Sequence, residues 1–143
     1  MNHISINKGH DIKLSGEPSQ EIISAPIPKS VSILPNHFRS VKPKLLVKEG
    51  DTVSIGSPLF FDKTKPEVKW ASPASGEIST IQFGARRVIE KIEIAIKDNE
   101  KISFPDLNQL DLGSIDRNKI LDIILKANLF TLIRQRPFNK IAD

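Results

Sequence analysis

The 143-residue sequence predicts a mainly β protein with a C-terminal helical segment, an α+β chain. Three observations carry that expectation. Between Pro43 and Ile96 short apolar runs are cut every few residues by Gly or Pro, the spacing of a small barrel or sandwich of short strands. From Ile92 onward the run Val88–Ile96 alternates at period two, which puts its isoleucines on one face. Beyond Gly113 the period changes: Ile120, Leu121, Ile123, Ile124 and Ala127 form the stripe of an amphipathic helix.

Taken in order, Ile4–Ile6 and Ile12–Leu14 read as short strands, with turns at Lys8–Asp11 and Ser15–Pro18. Ile22–Pro28 carries two prolines and suits an extended edge segment, not a central strand. Val31–Leu34 is a short strand closed by Pro35 and Asn36. The β core follows as Leu45–Val47, Thr52–Val53, Leu59–Phe61, Val68–Ala71, Glu77–Ile81 and Val88–Ile96. Trp70, in phase with Val68, belongs under it. Asp116 stands where a helix N-cap should, and Asn128, which tolerates a left-handed backbone, where the helix should stop. A second helical segment is expected over Leu129–Gln135, then an exit linker over 136–143. The implied organisation is an N-terminal short-strand segment at 1–43, a core at 44–96, and a connector, helix and linker at 97–143.

Composition narrows the function. Apolar residues make up 38% and charged residues 27% of the chain, enough for one core. The longest apolar stretch, Ile120–Leu125, is interrupted by Asp122, far short of the ~20 residues of a membrane span. The first dozen residues lack the apolar run of a secretory signal. A soluble chain is expected, related to a membrane only through a partner. With no cysteine there is no thiolate metal site, iron–sulfur cluster, disulfide or cysteine nucleophile. The formal charge is +4, yet basic residues interleave with acids (Lys48-Glu49, Asp62-Lys63, Glu90-Lys91). That argues against a nucleic-acid surface and favours a solvated basic face or one turned to an acidic partner.

The stretch Val47-Lys48-Glu49-Gly50-Asp51-Thr52-Val53, with Gly56, Leu59, Phe60 and then Ala71-Ser72-Pro73-Ala74-Ser75-Gly76, resembles biotinyl and lipoyl carrier domains. The resemblance implies a barrel-sandwich hybrid over residues 44–96. Five pieces in order are similar to the A-subunit family of the sodium-translocating NADH:quinone reductase: Lys8–Ile12 with Leu14–Pro18, Leu46–Asp51, Ala74–Gly76, Gly84–Val88 and Arg134–Lys140. That resemblance implies a non-redox peripheral subunit, on the cytoplasmic side of a bacterial inner membrane. The complex passes electrons from NADH through FAD, FMN, riboflavin and iron–sulfur groups of other subunits to ubiquinone while exporting Na+. Partners would be those other subunits and, through the complete protein, quinone. Family chains are several times longer, so these residues would be an N-terminal piece.

No nucleophile–base pair, Walker loop or dinucleotide fingerprint is present. No catalytic, cofactor-binding or metal residue is therefore named in this chain. His3, His10 and His37 lie far apart without carboxylates at ligand spacing. Lys65 falls about where carrier domains bear their acylated lysine, but Pro66 follows it in place of a small residue or methionine. Arg86 and Arg87, after Gly84-Ala85, present two guanidinium groups to a phosphate or carboxylate, or else simply solvate a turn. Arg134 and Arg136 would sit at a helix C-terminus, where cations are favoured by ~0.3–1 kcal/mol, or at an interface. Four readings stay open: an assembly module of the pump, a carrier domain modified at Lys65, the related cluster-bearing subunit of another ion pump, and an anion-binding module using Arg86 and Arg87.

Overall fold

The computed structural model describes residues 9, 13–104, 113 and 115–142. The expected strand at Ile4–Ile6, most of the Lys8–Asp11 turn, and His3 and His10 lie outside them.

The alternating isoleucines build the centre. β7 (Ile89–Asp98) buries Ile89, Ile92 and Ile94, and β6 (Ser75–Phe83) buries Ile78 and Ile81. The two pair antiparallel as a hairpin around Gly84. Their register shifts at three places along β6. Such bulges bend a strand and raise its twist, so the hairpin curls over what lies beneath. β1 (Ser30–Ile33) adds to one side of β7 and β3 (Thr52–Val53) to one side of β6, giving the order β1-β7-β6-β3. A second antiparallel sheet, β2-β4-β5, consists of Pro43–Leu45, Pro58–Asp62 and Lys65–Ala71.

The core lies between the sheets. Leu59 and Phe60 of β4, Val68 and Trp70 of β5, and Ile78, Ile92 and Ile94 of the first sheet are all buried. Each such side chain contributes ~1.5–3 kcal/mol on burial. Phe60 stacks on Trp70 with centroids 4.8 Å apart and planes 11° apart, and Phe38 tilts against Trp70 at 5.4 Å. The expected place of Trp70 under the strands is observed.

Two turns lock the sheets together. In Lys48–Asp51, Gly50 takes φ +87°, a left-handed conformation that glycine adopts at no steric cost. The Asp51 carboxylate accepts from the Lys48 N–H at 2.9 Å. From this turn Gly50 N–H donates to the Ile78 carbonyl, Ile78 N–H donates to the Asp51 carbonyl, and Glu49 accepts from the Ile81 N–H at 2.6 Å. The second turn, Ala71–Gly76, returns the chain from one sheet to the other. The Ser72 hydroxyl donates to the Ala74 carbonyl at 2.6 Å, and the Ser75 hydroxyl donates to the Val53 carbonyl. At Gly76 the backbones of β6 and β7 are so close that a Cβ would stand 1.9 Å from the Ala95 carbonyl oxygen.

The C-terminal region departs from expectation in one half. Asp116 caps α1 (Arg117–Lys126), accepting from the Asn118 N–H at 3.0 Å, and Asn128 ends it at φ 57°. The Asn128 amide then donates to the Gly56 carbonyl at 3.0 Å, tying the helix exit to the core. The expected second helix at Leu129–Gln135 is only a 3-10 turn at Phe130–Leu132. In place of an exit linker, β8 (Arg134–Gln135) pairs with β9 (Lys140–Ile141). Helical propensity yields there because Phe130 and Ile141 both pack on the core, which a continuous helix would not allow. At the other end, Ile22–Pro28 joins no ladder, in line with two residues that lack an N–H.

These contacts set two stability outcomes. Gly76→Ala should lower the urea midpoint by an amount equivalent to at least ~2 kcal/mol, since backbone must move. Asp116→Ala should cost about 1 kcal/mol with the β core intact, read as lost helical ellipticity at unchanged tryptophan emission.

Candidate functional site

Among the described residues no group of three His, Cys, Asp or Glu side chains is placed to hold a metal ion. His37 is exposed in a 3-10 turn over Pro35–His37.

Lys65 is the first residue of β5, opposite Asp62, and the turn above it consists of Lys63 and Thr64. It is half-buried, and its ammonium donates to the Ala142 carbonyl at 3.2 Å. Buried Asp62 accepts from the Thr64 and Lys42 N–H groups, so the turn is braced from below. Lys65 thus flanks the two-residue hairpin turn with its ammonium bonded to the C-terminal segment just after β9.

Arg86 and Arg87 occupy the short turn of Ala85–Arg87 at the end of the β6–β7 hairpin. Both are exposed and both take left-handed φ, 55° and 59°. The turn is closed by Arg87 N–H to the Gly84 carbonyl and Val88 N–H to the Ala85 carbonyl. These backbone donors are thus occupied, and the arginines act through their side chains. The structure separates the pair: Arg87 lines a depression with Arg39, Lys42 and Lys63, and Arg86 does not. These three partners carried no signal in the sequence, being separated from Arg87 and from one another by up to 48 positions.

Arg134 and Arg136 are not at a helix C-terminus, because the helical segment expected there is a hairpin. Arg134 is half-buried with its guanidinium 5.9 Å from the centroid of the Phe38 ring, a cation–π distance. Arg136 is exposed in the β8–β9 turn, beside exposed Phe138. With Leu129 and Leu132 also exposed, this end of the molecule presents a mixed apolar and basic surface, a combination frequent at interfaces.

One charged constellation lies on the open face of the larger sheet. Glu93 accepts from the Lys91 ammonium at 2.7 Å and from the Ser30 hydroxyl at 3.1 Å. The Lys91 hydrogen bond, then that of Ser30, lower the Glu93 pKa below the ordinary carboxylate value. Glu77 and Lys97 pair on the same sheet.

Two interlocked sheets joined by glycine-pinned turns define a barrel-sandwich hybrid module. Comparison with known proteins agrees: residues 4–97 match the family model of the NqrA N-terminal barrel-sandwich hybrid domain, and the chain belongs to that family. It is also similar to the A-subunits of the Na(+)-translocating NADH-quinone reductases of Klebsiella pneumoniae (39% identical over 137 residues), Psychromonas ingrahamii (38% over 138) and Marinomonas sp. (37% over 138). Each alignment covers 96% of this chain and 31% of the relative. The chain therefore spans about a third of the length of the curated relatives it matches.

A carboxylate whose pKa falls on folding stabilises the native state above its unfolded pKa, and that contribution is lost as pH drops through the lower, folded value. Melting temperature should accordingly decline as pH falls from about 5 toward 3. Lys91→Met should make that decline shallower, a comparison of thermal melts at matched ionic strength.

Proposed function

We propose that the chain is a non-redox, peripheral support element of the sodium-pumping NADH:quinone reductase. In that reading it holds partner subunits in place while they carry electrons from NADH to quinone and export Na+. The observation that carries it is the alignment of 96% of the chain with A-subunit relatives. The structure supports it by what it supplies. A rigid core built from two interlocked sheets costs little to order on binding. The apolar and basic surface of Leu129, Leu132, Arg134, Arg136 and Phe138 offers contact area to further chain or to a neighbouring protein of the pump.

Within this reading residues 44–96 are the barrel, 1–43 an N-terminal segment whose β1 adds a strand to it, and 97–143 the connection to further chain. No helix among the described residues is long and apolar enough to cross a membrane, and attachment on the cytoplasmic side would run through the membrane subunits. The carrier alternative loses support from Lys65, whose ammonium is already engaged with the Ala142 carbonyl.

The test is affinity purification of the tagged protein from its own cells after mild detergent extraction. The integral-membrane subunits of the pump should co-purify, and the intact mass of this region should show no biotin or lipoyl adduct. Recovery without those subunits would sink the assembly reading, and an adduct on Lys65 would replace it with the carrier one.

A further inference from the structure

We propose that the depression between the 35–43 loop and the Gly84–Val88 turn binds a phosphate-bearing small molecule. Four cations from three separate parts of the chain, Arg39, Lys42, Lys63 and Arg87, line it together with Phe38 and Val88. Its volume is about 560 Å³, within the range of small-molecule sites. No carboxylate lines it among the described residues. None of the four cations makes an ion pair among those residues either, whereas Lys91 and Lys97 elsewhere on the surface do. A concave cluster of one sign focuses the field and raises the local concentration of anions.

The backbone beneath it supplies a second, independent observation. Arg86 and Arg87 are consecutive side-chain-bearing residues at positive φ, where each costs about 1–2 kcal/mol that glycine would avoid. Strain of this kind persists where it places a group for use, and the group placed here is the Arg87 guanidinium. Because the Arg87 and Val88 N–H groups are already bonded, recognition falls to the side chains. Several cations approaching from different elements suit the three oxygens and double charge of a phosphoryl group better than a single carboxylate. The inference goes beyond assembly into the pump and does not rest on it.

The single tryptophan provides the readout, because Phe38 lines the depression and contacts the Trp70 ring. The 143-residue chain is titrated with inorganic pyrophosphate at constant ionic strength, following tryptophan emission and melting temperature. A saturable emission change with a raised melting temperature is expected. In Arg87→Gly/Lys63→Ala binding should weaken at least about tenfold, the loss of two charge-assisted contacts. Glycine suits the left-handed position, so this variant should melt no lower than wild type without ligand. Lys119→Ala/Lys126→Ala removes the same charge from α1 and should bind like wild type. The proposal is overturned if wild type gives no saturable response, if the two double variants lose binding equally, or if Arg87→Gly/Lys63→Ala binds undiminished. It is likewise overturned if only phosphatidylglycerol vesicles, and not pyrophosphate, elicit the change.

Discussion

The close backbone approach of β6 and β7 at Gly76 is the constraint on which the remaining architecture depends. With no Cβ there, the Ala95 carbonyl sits where a side chain would begin. Register shifts that begin at Ser75/Gly76 and recur along β6 bend the hairpin over the second sheet. Its inward residues Ile78, Ile92 and Ile94 then meet Leu59 and Phe60 with no solvent access. The Lys48–Asp51 turn depends on the same hairpin, since its bonds to Ile78 and Ile81 require β6 to be held at that distance.

A molecule built this way is suited to hold position. Its long-range ties run through backbone groups in turns, which have few alternative states, and through a stacked aromatic centre of Phe60 and Trp70. The C-terminal helix and hairpin are secured to that centre from outside, by Asn128 on Gly56, Lys65 on Ala142 and Arg134 over Phe38. Arg134 and Phe38 thereby connect the exposed apolar and basic end to the core. A partner pressing on this surface would meet a stiff support, as the proposed assembly role requires.

Legibility in the sequence varied with how local the cause was. The alternating isoleucines of β7 from Ile92 onward, the Asp116 cap and the Asn128 stop each depend on neighbours a few residues away, and each is found where pattern and capping chemistry put it. The Leu129–Gln135 segment failed because its conformation is decided by Phe130 and Ile141 reaching a distant core. For the candidate site, the sequence pointed at the Arg86–Arg87 pair as a unit. Their left-handed turn splits them, and only Arg87 joins Arg39, Lys42 and Lys63.

The sequence by itself determined the β character of residues 43–96, the capped helix and the family, because periodicity, glycine placement and ordered short motifs are properties of contiguous residues. The tertiary structure alone decided that Lys65 is bonded to the Ala142 carbonyl just after β9, that Arg134 rests on an aromatic ring, and that four dispersed cations share one depression. Those outcomes depend on which chain segments the two sheets bring within a few ångströms of one another. Separation along the chain carries no record of that distance.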